Sequence, residues 1–218
     1  MTLDFKKELI RKAIHLLSIF FLIIYLFFAE TANHKVALLI LSFILIVLLE
    51  FEYARVELGA KIPLLKKFWE YRREKEKETL GGEIYFLIGA IISLAIFDKR
   101  IAAAAILMTT FGDMAAAIIG SKFGKNWIPF LKNRAIEGCL AELVVDLIIG
   151  FLVIRTAVNG RMWWVSSLIP KGEPLWLPII VMAVTATVVE TVVHKLDDNL
   201  LIPVFAGFNG EIVLLFLT

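Results

Sequence analysis

The sequence has few of the residues on which several common classes of protein depend. Its only cysteine is Cys139, which excludes a disulfide within the chain and fits no metal-ligand spacing. His15 and His194 lie far apart with no cysteine nearby, so the ligand spacing of a zinc site is missing. The formal net charge is only +2, which argues against nucleic acid as a partner. No tract rich in proline or serine forms a linker.

What the sequence has in excess is apolar residues. They make up 60% of the 218 residues, whereas soluble domains have about 45–50%, and the mean hydropathy is +0.83. Stretches long enough to cross a bilayer as helices recur along the whole chain. They cover residues 13–29, 36–54, 83–97, 101–120, 139–158, 175–193 and 201–218. The sequence therefore predicts an all-α, polytopic integral membrane protein with about seven transmembrane helices and a single transmembrane domain over residues 1–218.

The positive charges predict how these helices are oriented. With the N-terminus inside, 17 of the 23 Lys and Arg residues fall in inner segments, which predicts an outer C-terminus. The first stretch, of about 17 residues, is too long for a usual signal-peptide core of about 7–15. The longest inner segment, residues 51–82, alternates Glu and Lys at helical spacing, and Gly81 and Gly82 predict a hinge or cap after it. We expect the protein in the cell membrane of a prokaryote.

Ionisable residues in or beside the apolar stretches give the main functional signal, because each costs several kcal/mol in a membrane unless it is paired or hydrated. Asp113 lies inside the fourth stretch, Glu142 and Asp146 inside the fifth, and Glu211 inside the last. Other charged residues stand at helical spacing near the inner ends. They are Glu8, Arg11, Lys12 and His15, then Glu83, and then Glu190, His194, Asp197 and Asp198. The first four are also explained by a positive flank that sets topology, whereas three carboxylates near one membrane edge need cations.

Small residues recur every fourth position in and after the fourth stretch, at Gly112, Ala116, Gly120 and Gly124. This stripe predicts close approach of another helix or of a phosphate chain. The segment GSKFGK is not a P-loop, because one residue too few separates its glycines, Asn126 replaces the required hydroxyl residue and no strand precedes it.

The cations of this region favour binding of an anion instead. Lys122 and Lys125 lie beside backbone amides that can hold phosphate. The following loop adds Lys132, Arg134 and Glu137 on the same inner side. Carboxylates for Mg²⁺, cations for phosphate oxygens and an apolar cavity for an acceptor are what phosphoryl transfer needs. A serine hydrolase is not indicated, because no G-x-S-x-G element is present.

Four blocks of the sequence resemble, in this order, the CTP-dependent lipid kinases. That family includes dolichol kinase, phytol kinase and yeast-type diacylglycerol kinase, and it is related to the CDP-diacylglycerol synthases. The blocks are Glu8-x-x-Arg11-Lys12-x-x-His15, the segment from Gly112-Asp113 to Gly120 and Gly124, Arg134-Ala135-Ile136-Glu137-Gly138-Cys139, and Glu190 with Asp197-Asp198-Asn199 and Pro203. They span nearly the whole chain. Where the family has Lys-Ser-x-Glu-Gly-Ser, this chain has Arg134, Ala135 and Cys139, a departure that bears on nucleotide binding more than on the fold.

The resemblance implies transfer of the γ-phosphate of CTP, with Mg²⁺ as cofactor, to the hydroxyl of a membrane lipid alcohol at the cytoplasmic face. We expect Asp113 and Asp198 to hold the metal, with Glu137 and Asp197 as further catalytic carboxylates. The residues expected to bind nucleotide are Gly112, Gly120, Lys122, Gly124, Lys125, Lys132, Arg134, Gly138 and Asn199. A polar face that is either substrate-binding or structural is expected from Glu8, Arg11, Lys12, His15, Glu83, Glu190 and His194.

Several alternatives stay open at this point. The expected acceptor is an isoprenoid alcohol of the polyprenol or dolichol type, and phytol, geranylgeraniol or diacylglycerol would suit equally apolar walls. A cytidylyltransferase would use the same kind of pocket, but the ending DDNLLIPVFAG lacks the longer run typical of those synthases. A transporter would place its charges near mid-membrane on broken helices. The stripe of small residues would serve a homodimer as well as an internal contact, and the choice between CTP and ATP is also open.

Overall fold

The computed structural model describes residues 10, 12, 16–59, 79–129, 131, 134–156, 172–193 and 196–217. This part of the chain forms seven helices. They are α1 (Ile19–Thr31), α2 (His34–Val56), α3 (Gly82–Ile96), α4 (Lys99–Phe123), α5 (Ile136–Val153), α6 (Trp176–Val192) and α7 (Asp198–Leu217). Each one lies within a few residues of an apolar stretch of the sequence, so the predicted all-α class is confirmed.

Three of these helices are long and apolar enough to cross a membrane, namely α2, α4 and α7. Helices α1, α3 and α6 are apolar but shorter. Helix α5 has 18 residues, three of which are the acids Glu137, Glu142 and Asp146. The number of spans and their orientation therefore stay predictions. The large apolar side chains that are exposed, such as Phe43, Ile148 and Phe216, agree with a surface that faces lipid.

Helix α4 lies at the centre and contacts α1, α3, α5, α6 and α7. Its segment Ile101–Ile106 is almost completely buried and contains four consecutive alanines, whose small side chains let neighbouring helices approach from several sides. Helix α5 runs back along α4 and also contacts α6, whereas α7 packs against α3, α4 and α6. Asp113 of α4 is therefore surrounded by other helices and not by lipid.

The small-residue stripe of α4 is used inside the chain. A Cβ atom on Gly138 of α5 would lie 2.8 Å from the carbonyl oxygen of Ala116 and 3.2 Å from Cα of Gly120, so the two backbones are in direct contact. A Cβ on Gly124 would lie 2.7 Å from that of Ala135, at the turn between the helices. The sequence predicts either another helix or a phosphate chain against this stripe, and the structure shows a helix of the same chain there. The stripe therefore gives no argument for a homodimer, which stays a prediction.

The predicted cap before α3 is present. Gly81 precedes α3, and its amide donates a hydrogen bond of 3.2 Å to Oε2 of buried Glu52 in α2. Arg55 binds the same carboxylate at 2.7 Å and also donates to the carbonyl oxygen of Thr79. These contacts join the end of α2 to the start of α3. The charged helix that the sequence predicts between them lies largely outside the described residues.

Candidate active site

Three carboxylates from three helices meet at one end of the bundle. Asp113 comes from α4, Glu190 from the last turn of α6 and Asp198 from the first turn of α7. One oxygen of each lies within 4.8 Å of the others, and Asp113 and Glu190 are buried. We call these three residues the acidic centre. The positive charges predict that this end of the bundle faces the inside, and we call it the inner end.

Two cations neutralise part of this centre. Lys12, which is 5% exposed, forms an ion pair with Oδ2 of Asp113. Arg134 places Nη1 2.5 Å from Oε1 of Glu190 and Nη2 3.9 Å from Oδ2 of Asp198, so one guanidinium bridges two helices. Burial lowers the pKa of Arg134, but the carboxylates of Glu190, Asp113 and Asp198 raise it by more. The net pKa shift is upward, and the guanidinium stays charged.

The turn between α4 and α5 fixes the position of Arg134. Its carbonyl oxygen accepts a hydrogen bond of 3.0 Å from the amide of Ile128. The carboxylate of Glu137 accepts hydrogen bonds from the backbone amide of Asn126 and, at 2.9 Å, from Nδ2 of the same residue. Glu137 therefore holds the turn together and lies outside the acidic centre, so its predicted catalytic role has no metal-binding geometry in support.

The block from Asp197 to Asn199 contributes both to the start of α7 and to the acidic centre. Oδ1 of Asp197 accepts hydrogen bonds from the backbone amide and from Nδ2 of Asn199, at 3.2 and 2.8 Å, directly before α7 begins at Asp198. Asp198 is the member of the block that reaches Arg134 and the acidic centre. The structure thus brings together Asp113 and Asp198, the two predicted metal ligands, and places Asp197 and Asn199 beside them.

Several other predicted residues lie elsewhere. Lys122 and Lys125 are exposed at the inner end, beyond the acidic centre along α4, and Nζ of Lys122 lies 5.2 Å above the ring of Phe123. Gly120 and Gly138 lie in the contact between α4 and α5, and Glu83 lies in the first turn of α3. Glu8, Arg11, His15, Lys132 and His194 lie outside the described residues.

Three acids of this region have a different role in the sequence prediction or none. Glu190 was expected on the substrate-binding or structural face, and the structure adds it to the two predicted metal ligands. Glu142 and Asp146, which the sequence marks only as acids in an apolar stretch, are buried on α5. The signal for Glu190 is its place seven and eight residues before two further acids, with no cation in its own helix to pair with it.

Comparison with known proteins identifies relatives that are named as kinases of lipid alcohols. The chain is 31% identical over 138 residues to the CTP-dependent diacylglycerol kinase 1 of Schizosaccharomyces pombe, a match that covers 62% of this chain and 61% of that protein. It is 29% identical over 218 residues to the probable phytol kinase 3, chloroplastic, of Glycine max, covering 96% of this chain and 64% of the relative.

A third relative, the CTP-dependent diacylglycerol kinase 1 of Saccharomyces cerevisiae, is 27% identical over 214 residues and is covered to 72%. The chain thus spans less than two thirds of the length of the first two relatives. No family model matches the sequence, and no solved structure matches it significantly. The similarity to these three proteins supports the resemblance of the chain to the CTP-dependent lipid kinases.

Proposed function

We propose that this protein transfers the γ-phosphate of CTP to the hydroxyl of a membrane lipid alcohol at the cytoplasmic face. The observation that carries the proposal is the acidic centre, where three carboxylates from three helices lie within 4.8 Å of one another beside Lys12 and Arg134. Phosphoryl transfer needs such a combination of metal-binding acids and phosphate-binding cations. The relatives named for CTP-dependent diacylglycerol phosphorylation support the same donor.

Mg²⁺ is the metal that suits these ligands. It prefers oxygen ligands at about 2.0–2.1 Å, so two carboxylate oxygens on opposite sides of one ion are about 4.2 Å apart. The oxygens of Asp113, Glu190 and Asp198 are separated by up to 4.8 Å, a difference that small side-chain rotations remove. In this position Mg²⁺ would neutralise charge on the β- and γ-phosphates.

The residues of the chain then have separate tasks. Lys12 and Arg134, which neutralise the carboxylates in the structure, turn towards the phosphate oxygens when the nucleotide binds, and exposed Lys122 and Lys125 attract it to the inner end. The acceptor oxygen forms a bond to the γ-phosphorus, and the bond from this phosphorus to the bridging oxygen breaks with its electron pair left on CDP. The hydroxyl proton passes to a carboxylate of the site.

The acceptor belongs to the lipid alcohols, and three members of this class are candidates. The relatives are named for diacylglycerol and phytol, which gives these two equal support. The sequence hypothesis favoured a longer alcohol of the polyprenol or dolichol type, whose apolar chain would be accommodated by the same helices. A location in a prokaryotic cell membrane also belongs to this proposal, since the relatives named above are eukaryotic.

The direct test is a transfer assay on the purified protein in detergent with Mg²⁺. CTP or ATP labelled in the γ-phosphate is supplied with dolichol, geranylgeraniol, phytol or diacylglycerol, and label entering the organic phase is measured. We expect label in one class of alcohol, from CTP and not from ATP, and a loss of about hundredfold or more in Asp113→Asn, which removes a buried metal ligand.

Other outcomes of this assay would contradict the proposal. Transfer of label from α-labelled CTP into a lipid phosphate, without transfer of the γ-label, would identify a cytidylyltransferase. A folded protein that transfers neither label would favour a transporter or another protein without catalytic activity.

A further inference from the structure

Two acids of α5, Glu142 and Asp146, take no part in the proposed phosphoryl transfer. Glu142 is 1% exposed and Asp146 is not exposed at all. Among the residues that the structure describes, Oε2 of Glu142 and both carboxylate oxygens of Asp146 have no hydrogen-bond partner. A buried polar group without a partner destabilises the fold, and an acid within an apolar helix marks a functional site by default.

The fold provides space for these acids. Gly138, Glu142, Asp146 and Gly150 follow one another at intervals of four residues and form the face of α5 that packs on α4. A Cβ atom on Gly112 would lie 2.5 Å from Oδ1 of Asp146, so this carboxylate fits against α4 only because position 112 has no side chain. The packing of the two helices thus accommodates Asp146 instead of excluding it.

Both acids lie next to the acidic centre. Oδ1 of Asp146 lies against Gly112, which directly precedes Asp113 in α4, and Glu142 lies one turn of α5 nearer the inner end. Asp146 follows one turn later, about 6 Å further along the axis of α5 and away from the inner end. Met108 and Ile179, which a Cβ on Gly150 would meet at 3.2 and 2.7 Å, continue the same face with apolar atoms.

The chemistry of these groups restricts what they can bind. Carboxylate oxygens accept hydrogen bonds, and phosphate oxygens also accept them and carry negative charge, so nucleotide phosphates do not suit this position. Lys12 and Arg134 are engaged with Asp113, Glu190 and Asp198. A neutral hydrogen-bond donor attached to an apolar chain fits both the free oxygens and the apolar continuation.

We infer that Glu142 and Asp146 bind the hydroxyl of the lipid alcohol and place its oxygen beside Asp113. This inference rests on the proposed function and assigns its acceptor site. The nucleotide occupies the cationic inner end, whereas the alcohol reaches the acidic centre from the apolar side of the bundle. The two substrates therefore meet at Asp113 from opposite directions.

The test compares Asp146→Asn and Glu142→Gln with the wild type, because both substitutions keep the size of the side chain. Transfer from CTP is measured against the concentration of the preferred alcohol and, separately, against that of CTP. We expect the KM for the alcohol to rise about tenfold in each variant, since a hydrogen bond to the hydroxyl is lost, while the KM for CTP stays within about twofold. Glu50→Gln, at an exposed acid of α2, is the matched control and should leave both values unchanged.

A binding experiment gives a second measurement that does not require turnover. The thermal unfolding temperature of each protein is recorded with geranylgeraniol, with dioctanoylglycerol and with CTP. The wild type should be stabilised by CTP and by at least one alcohol, and the two variants should lose only the stabilisation by alcohol.

Clear results would overturn this inference. Unchanged KM values for the alcohol in both variants, equal increases for alcohol and CTP, a shift only in the Mg²⁺ dependence, or no stabilisation of the wild type by any alcohol would each contradict it. If the wild type transfers no label at all, the proposed function itself fails, which is a different outcome.

Discussion

At the scale of single residues, a substitution of Glu190 tests whether this residue is a metal ligand or only an ion-pair partner. Its carboxylate lies with Asp113 and Asp198 in the acidic centre and is paired with Arg134. If it binds the metal, Glu190→Gln should raise the Mg²⁺ concentration for half-maximal activity by about ten- to a hundredfold. Titration of activity with Mg²⁺, and direct binding of Mn²⁺ followed by its paramagnetic signal, measure this. An altered KM for CTP with an unchanged metal titration would leave Glu190 only as the partner of Arg134.

Arg134 carries the second prediction at this scale, because it bridges Glu190 and Asp198. Arg134→Gln leaves buried Glu190 without its cation, and we expect kcat/KM for CTP to fall about hundredfold together with a lower unfolding temperature. Arg134→Lys keeps the charge but cannot bridge two carboxylates, so a loss within about tenfold is expected. The family resemblance also places lysine at this position. A glutamine variant with unchanged kinetics would exclude Arg134 from the site.

At the scale of elements, the contact between α4 and α5 gives a prediction with opposite signs at two glycines. Gly138→Ala brings a Cβ to 2.8 Å from a backbone oxygen of α4, so the helices must separate, and we expect the unfolding free energy to fall by about 1–3 kcal/mol. Gly120→Ala meets only Cα of Gly138 at 3.5 Å, an ordinary contact, and should leave stability unchanged or raise it by up to about 1 kcal/mol.

Thermal unfolding in detergent measures both glycine variants, and activity adds a further distinction. If Gly120 also lies against a phosphate, as the sequence predicts, Gly120→Ala should lose activity while its unfolding temperature is kept. Equal destabilisation by both substitutions would contradict the described packing of α4 on α5.

The helices could be predicted from the sequence to within a few residues, because uninterrupted apolar runs specify them locally. The acids that meet in space could be predicted only in part. Spacing places Asp113 or Glu190 on one face of its own helix, but it does not state which helix packs against that face. For this reason the sequence prediction places Glu190 on the substrate-binding or structural face and gives Asp146 no role. The position of Asp146 depends on the missing side chain of Gly112.

At the scale of the whole molecule, contacts at the opposite end of the bundle from the acidic centre hold the helices together. The amide of Asp98, before α4, donates a hydrogen bond of 2.8 Å to Glu211 of α7, and Arg100 binds both Asp98 and the carbonyl oxygen of Arg155. Arg155 in turn donates to the carbonyl oxygen of Gly172. The half-buried charges at this end are thus engaged in contacts between segments, whereas the proposed chemistry is assigned to the acidic centre.

The orientation of the molecule gives the last prediction. The positive charges predict that the acidic centre faces the cytoplasm, where CTP is available. In a Cys139→Ser background, which matches the serine of the family, single cysteines are introduced by Ser121→Cys near the acidic centre and by Glu173→Cys at the other end, both at exposed positions. On intact cells a membrane-impermeant thiol reagent should label only Glu173→Cys, and permeabilisation should add Ser121→Cys. The reverse order would place the acidic centre outside, where no cytoplasmic nucleotide reaches it, and the proposed kinase reaction would fail together with the orientation.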